Sequence, residues 1–432
     1  MDRYLCSLDA LILKKESVKK ALSFELLSQR KRLKGFNQNW KKVRLGDIAE
    51  IKRGHRLDLL KILNGFGANS NVGWVRISDI SKNSRFLYKT AQKLSKKGIE
   101  KSRFIKQNSL IMSMCATIGK PIITKIDTCI HDGFVVFENP KIDLNYLYYF
   151  LCYIEKEWLE SGQQGSQVNL NVDLIKNKEV FCPKDLNEQI AIANVLSDVD
   201  RYLCSLDALI LKKESVKKAL SFELLSQRKR LKGFNQNWKK VRLGDIAEIK
   251  RGASPRPIEN PKWFCANSNV GWVRISDISK NSRFLYKTAQ KLSKKGIEKS
   301  RFIKQNSLIM SMCATIGKPI ITKIDTCIHD GFVVFENPKI DLNYLYYFLC
   351  YIEKEWLESG QQGSQVNLNV DLIKNKEVFC PKDLNEQIAI ANVLSDVDHE
   401  IISLKNKKRQ FENIKKALNH DLMSAKIRVL NK

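Results

Sequence analysis

Residues 182–233 read CPKDLNEQIAIANVLSDVDRYLCSLDALILKKESVKKALSFELLSQRKRLKG, and this stretch decides the architecture. Asp185, after Pro183, offers an N-cap, and Glu188 follows three residues later, the spacing of a capping box. Apolar residues recur at Val195, Leu196, Val199, Leu203, Leu206, Ile210, Val216, Leu220 and Leu224. Their spacing, mostly three and four residues, lays one stripe along a helix. Gly233 is the expected stop. The pattern predicts one helix over 186–233, about 70 Å long at about 1.5 Å per residue. That is too long for an ordinary globular helix and suits a coiled coil.

The same residues recur elsewhere in the chain. Residues 2–54 equal residues 200–252, and residues 68–200 equal residues 266–398, at an offset of 198. A period of this length marks a duplicated domain, not an array of small repeats. Residues 1–35 therefore copy the end of the long helix. Residues 384–428 copy its start and then diverge, although KKAL at 415–418 still aligns with KKAL at 217–220. The predicted order is a helical arm over 1–37, a domain over 38–183, a helical spacer over 184–235, a second domain over 236–381 and a second spacer over 382–432.

Inside the repeat only residues 55–67 and 253–265 differ. One codon choice for ASPRPIENPKWFC, the second copy's segment, spells HRLDLLKILNGF when read one base later, and this is the first copy's segment up to its last glycine. We read the first copy as a compensated frameshift and the second as the ancestral version. The 11 cysteines agree: five repeat-related pairs, plus Cys265 in the altered segment. No CxxC spacing occurs, which argues against zinc. The N-terminus lacks the features of a secretory signal, so the thiols are expected to be reduced and mostly buried in a cytoplasmic protein.

With 432 residues, 43% hydrophobic and 28% charged, the chain is expected to fold and to hold two or three domains. No run of about 18 uncharged apolar residues suggests a membrane span. Lys and Arg total 75 against 46 acids, a formal charge of +29. That surplus points to a polyanionic partner, nucleic acid first and an anionic membrane surface second.

Each domain reads as α/β. Strands are predicted at 241–249, 272–275, 307–312 and 331–335, with an apolar-rich helix over 342–356 and a Gly/Gln/Ser-rich loop over 359–369. No phosphate-binding loop, methyltransferase tetrad or paired-histidine metal spacing is present. Cys129 and His131, with Cys327 and His329, read as strand-end turns in preference to metal ligands. Residues 89–106 and 287–304 (KTAQKLSKKGIEKSRFIK) carry seven positive residues and one acid, which suits either a solvated helix face or phosphate contact. The loop from Arg251 to Pro257 is stiffened by prolines and offers two guanidiniums suited to a guanine edge. Gln361, Gln362 and Gln365 could pair with adenine, while Trp263 and Trp272 are expected to be packing residues.

The order helix, α/β domain, long helix, α/β domain, long helix resembles the specificity subunit of type I restriction–modification systems. Similar local patterns are WKKVRLGDI from Trp238, RGASPRP from Arg251, GSQVNLN from Gly363 and CPKDLNEQIAIANVL from Cys380. The resemblance covers essentially the whole chain. It implies two near-identical globular α/β target-recognition domains, separated by long antiparallel coiled-coil helices with an internal pseudo-twofold. It implies that the chain binds double-stranded DNA at a split site and docks two methyltransferase subunits, which bring S-adenosylmethionine. Motor-nuclease subunits are optional further partners. The chain itself would catalyse nothing and hold no metal.

The candidate DNA contacts in the second copy are Arg251, Ser254, Arg256, Arg274, Lys280, Arg283, Lys294, Lys295, Lys318, Gln361, Gln362 and Gln365. Those in the first are Arg53, Arg76, Lys82, Arg85, Lys96, Lys97, Lys120, Gln163, Gln164 and Gln167. Two like domains would read an interrupted inverted repeat, unless the altered segment changes one half. Competing readings are a specificity chain of another methylation–cleavage assembly and a coiled-coil scaffold holding RNA or membrane non-specifically.

Overall fold

A computed structural model describes residues 40–55, 66–67, 70–160, 170–358 and 368–424. The helical arm expected over 1–37, the glutamines 163, 164, 167, 361, 362 and 365, and most of the altered segment lie outside the described residues. The chain divides into two units, residues 1–206 with 407–432, and residues 207–406.

In unit 2 the α/β body is built on two sheets. One has five strands in the order Glu248–Arg251, Phe332–Glu336, Leu308–Ser311, Pro319–Thr322 and Phe284–Leu285, antiparallel except for the last pair. The other has four, in the order Gln290–Lys291, Gly271–Val273, Thr326–Ile328 and Arg301–Ile303. The period of two explains the unbroken apolar runs. Leu308, Met310, Val333 and Phe335 face the core shared with the helices, while Ile309, Phe332 and Val334 fill the layer that also holds Val273, Ile303 and Ile328 of the second sheet. The four-stranded sheet is thus separated from the helices by the five-stranded one. A small cluster of Trp263, Trp272, Leu292 and Cys327 forms a further core there, so both tryptophans are packing residues. Unit 1 repeats this topology.

The long helices are Leu186–Leu225 and Leu384–Met423, 40 residues each. The first ends earlier than Gly233. Gln227 adopts a left-handed φ of 65°, and the Lys229 N–H closes on the Glu223 carbonyl at 3.1 Å, which terminates the helix. The chain then turns back, placing Leu231 and Trp238 against the second domain's core. Asp185 caps the Asn187 N–H as expected, and Glu188 is drawn into the domain. It is buried, and Trp40 Nε1 donates to it at 3.0 Å.

Each unit takes the start of one long helix and the end of the other. In unit 2, Ile390 and Leu394 share a core with Leu224 and Leu225. In unit 1, Ile192 and Leu196 share one with Leu422 and Met423. The paired segments run antiparallel within each unit. Lys213 pairs with Glu400 at 2.7 Å and Lys217 with Asp398 at 2.6 Å, while Lys415 pairs with Asp200 and Phe411 packs on Tyr202 at 4.4 Å.

Two further expectations are corrected. Residues 241–249 are not one strand: Lys239–Arg242 pairs with Glu377–Cys380, a helical turn follows over Leu243–Ile246, and Glu248–Arg251 joins the large sheet. The turn is held by Asp245 accepting from the Arg242 N–H and by the Leu243 N–H donating to the Lys376 carbonyl. The helix over 342–356 is two, Leu342–Tyr351 and Glu353–Glu358. Of the ten described cysteines, all free, only Cys129, Cys182, Cys327 and Cys380 are buried, so burial is less general than expected.

Candidate nucleic-acid interface

The loop after Arg251 is shaped by one acid, Asp330, which in sequence reads only as a turn residue before the strand at 331–335. Gly252 passes so close to the backbone of His329 that any side chain would collide with its carbonyl. Beyond it, the Ser254 hydroxyl donates to Asp330 Oδ1 and Arg256 to Asp330 Oδ2, both at 2.9 Å. Arg251 Nε donates to the Asp330 carbonyl at 2.7 Å. Farther along, Trp263 Nε1 donates to the Pro257 carbonyl at 2.8 Å, bracing the other side of the loop. Burial pushes the Asp330 carboxyl up, but the Ser254 hydroxyl and the Arg256 guanidinium outweigh it and hold it below the usual carboxylate range. A turn acid directly opposite an Arg/Pro loop was the available signal.

The braced loop borders an open recess of about 450 Å³ that also meets Trp272, Arg274, Ser276 and His329. His329 packs its ring on Phe332 and Trp272, and its Nδ1 accepts from the Gly331 N–H at 3.0 Å. Burial lowers its pKa, opposed by Asp330 and reinforced by Arg274, which favours the neutral ring. His131 in unit 1 makes the same bond to Gly133 at 2.9 Å, and burial lowers its pKa too. Among the described residues no cluster of His, Cys, Asp or Glu, around these histidines or elsewhere, could hold an ion.

The predicted contacts divide into three groups. Arg251, Ser254, Arg256 and Arg274 come together around the recess. Lys280, Lys294 and Lys295 are exposed, the first just after the helix Ile275–Ser279 and the others on the short helix Lys294–Glu298, which packs beside Trp263. Arg76, Lys82, Lys96 and Lys97 are exposed at the equivalent places in unit 1. Arg53 donates to the Asp132 carbonyl at 2.7 Å, as Arg251 does to Asp330. The basic run is therefore two short strands around a five-residue helix, with its lysines on the surface.

Arg283 and Arg85 are not surface contacts. Arg283 is 6% exposed; it donates to the Tyr347 hydroxyl at 3.0 Å, Ser395 at 2.6 Å and Asn343 at 2.6 Å. Arg85 repeats this with Tyr149, Ser197 and Asn145. A buried guanidinium needs several acceptors, and these fix it inside the protein. Lys318 is half-buried and donates to the Ile278 carbonyl at 3.0 Å, holding the end of the helix beneath Arg274, and Lys120 is likewise half-buried. A further exposed aromatic, Tyr286, stands edge-on to Phe284, with its counterpart Tyr88 on Phe86.

A family model described as the type I restriction modification DNA specificity domain matches residues 37–213 and again residues 235–413. The type I restriction enzyme MjaVIII specificity subunit of Methanocaldococcus jannaschii is 25% identical over 425 residues, covering 91% of this chain and 94% of that protein. The type I restriction enzyme EcoprrI specificity subunit of Escherichia coli is 25% identical over 177 residues, 39% of this chain and 43% of that one. The solved S subunit of a type I restriction–modification system from M. genitalium is similar in fold, with a TM-score of 0.56, 16% identity and coverage of 90% and 97% of the two chains. A chain from a structure of the assembly and conformational transition of the type I R-M system scores 0.59, at 14% identity and coverage of 90% and 98%.

Proposed function

The chain belongs to the type I restriction–modification DNA specificity domain family, and from that premise we propose that each α/β body reads one half of a split DNA site. The observation that carries this reading is the placement of charge. Arg274, Lys280, Lys294 and Lys295 are exposed on the lobe formed around the four-stranded sheet, away from the core shared with the helices. Arg76, Lys82, Lys96 and Lys97 do the same in unit 1. The lysines meet phosphates and set position, while the recess bounded by Arg256 and Arg274 reads base edges. Gln361, Gln362 and Gln365, with Gln163, Gln164 and Gln167, whose sequence positions fall between the last two short helices of each body, add base contacts.

In this reading the recognition domains are 38–183 and 236–381, and the spacers 184–235 and 382–432 set the distance between half-sites. The helices dock two methyltransferase subunits that carry S-adenosylmethionine and the chemistry; motor-nuclease subunits are an optional addition to the same assembly, and the chain adds no catalytic group. The complex works on the chromosome, in the cytoplasm. Among the described residues no helix is long and apolar enough to cross a membrane.

A methylation map tests this. The chain is co-expressed with its methyltransferase subunit, and modified adenines are located in the host DNA. A split site, methylated only when the chain is present, is the expected result. Assembly of the complex with no chain-dependent modification would overturn the reading.

A further inference from the structure

The segment that closes unit 2 has a second copy in the chain. Residues 2–54 repeat residues 200–252 unchanged, so residues 19–27 are residues 217–225 over again. In unit 2 that segment has a defined seat. Lys217 pairs with Asp398 at 2.6 Å and lies over the Tyr347 ring; Phe222 faces Tyr351; Leu224 and Leu225 are buried in the core. The linker then brings Arg230 to Glu386 at 3.2 Å on its way to Trp238.

Unit 1 presents the same groove, with Asp200, Tyr149, Tyr153, Glu188 and Trp40 at the offset of 198. The end of the second long helix fills it: Lys415 pairs with Asp200, His420 faces Tyr153 at 5.5 Å, and Leu422 and Met423 are buried. Two segments of one chain therefore suit one groove.

We propose that residues 19–35 bind the helix-receiving groove of unit 1 in exchange with residues 415–423. Lys19 matches Lys415, Leu22 matches Leu418, Leu26 matches Leu422 and Leu27 stands for Met423. Phe24 brings a phenyl ring to the Tyr153 face where the C-terminal helix brings the His420 imidazole. Arg32 is the sequence counterpart of Arg230, which reaches Glu386 in unit 2. In sequence the segment is joined to unit 1 by a copy of the linker that serves unit 2, so its effective concentration at the groove would be that of a short tethered ligand.

The match stops beyond Asp200, where the two copies diverge. Glu214 pairs with Lys405 at 2.6 Å in unit 2, but its counterpart Glu16 would meet Asp207. Phe411 stacks on Tyr202 there in unit 1, and the C-terminal helix keeps this part. The exchange is confined to the domain-proximal end.

A double-mutant cycle in the full-length chain tests the proposal, with thermal melting of the purified protein as readout. Leu422→Asp with Met423→Asp evicts the C-terminal occupant; Leu26→Asp with Leu27→Asp disables the arm. The expected result is a modest melting loss for the first pair, almost none for the second, and a combined loss several degrees beyond their sum. Strictly additive losses overturn the proposal. In a second measurement a benzophenone amino acid replaces Tyr153 in a chain marked by Ser23→Thr, which distinguishes the arm's peptides from those of residues 200–225. Photocrosslinks to the marked peptide, rising when Leu422 and Met423 are changed, are expected. Crosslinks confined to the His420 peptide in both backgrounds overturn the exchange.

Discussion

The Arg283 guanidinium stands 3.0 Å from the Tyr347 hydroxyl, which donates in turn to Asp398 at 2.8 Å, where Lys217 arrives from the facing helix. The group ties the sheet-edge strand Phe284–Leu285 to both helical segments of its unit. Replacing Arg283 by Ala takes the donor away from the buried Tyr347 hydroxyl and from the half-buried acceptors of Asn343 and Ser395. We expect a stability loss of about 2–4 kcal/mol. The salt dependence of DNA binding should stay that of the parent. Calorimetric melting and fluorescence anisotropy at several salt concentrations check both halves; a flatter salt slope would return Arg283 to the DNA.

The exposed lysines behave in the opposite way. Lys294→Ala with Lys295→Ala touches no core residue and should leave melting unchanged. It should weaken binding to all duplexes alike and lower the slope of log K against log salt by about 2, one phosphate for each lysine. Arg274→Ala at the recess should instead relax preference at one base position, at a cost of about 1–3 kcal/mol. A selection from randomised duplexes reads this directly.

Two side chains at the recess set a pH dependence. His329 is held below its ordinary value of 6.5 by burial, and Asp330 below 3.8 by the partners that outweigh its burial. Both folded forms bind fewer protons than the unfolded chain. Their contributions are therefore complete above those ordinary values and are lost as pH falls through the lowered ones. Melting temperature should fall in a first step below about pH 6.5 and in a second in the acid range. His329→Gln combined with His131→Gln should flatten the first step. Asp330→Asn should shrink the second without abolishing it, because Glu248 and Glu377 are held low as well.

The altered segment offers a gain-of-function test. In unit 2 the segment supplies Ser254 and Arg256 to Asp330 and Trp263 to the small core. Restoring residues 55–67 to the sequence of 253–265 should make the two half-sites alike. A methylation map should then show an inverted repeat where the parent shows one relaxed or different half. Identical maps would place the segment away from the bases.

What was legible in the sequence was whatever local pattern decides. The strands Leu308–Ser311 and Phe332–Glu336 stand out because both faces are buried, and the long helices because their stripe spans many turns. The break at Leu243–Ile246 was hidden, since apolar alternation runs straight through a turn that the distant Lys376 carbonyl fixes. Arg283 was misplaced for the same reason: its acceptors lie 60, 64 and 112 residues away, and nothing beside it in sequence announces burial. Asp330 reads in sequence only as a turn residue, because its role exists only once the loop of Ser254 and Arg256 folds onto it.

The crossed filling of the two grooves binds the histories of the repeats together. Asp200 answers to Lys415 and Asp398 to Lys217, so each copy's receptor is constrained by a tail carried on the other. Neither can drift alone. Within the divergent stretch after residue 398, Lys415 and Leu418 are the positions where selection would be felt, and they are two of those that still match their counterparts. Covariation between relatives should accordingly link the start of each long helix to the end of the opposite one, in preference to residues nearer in the chain.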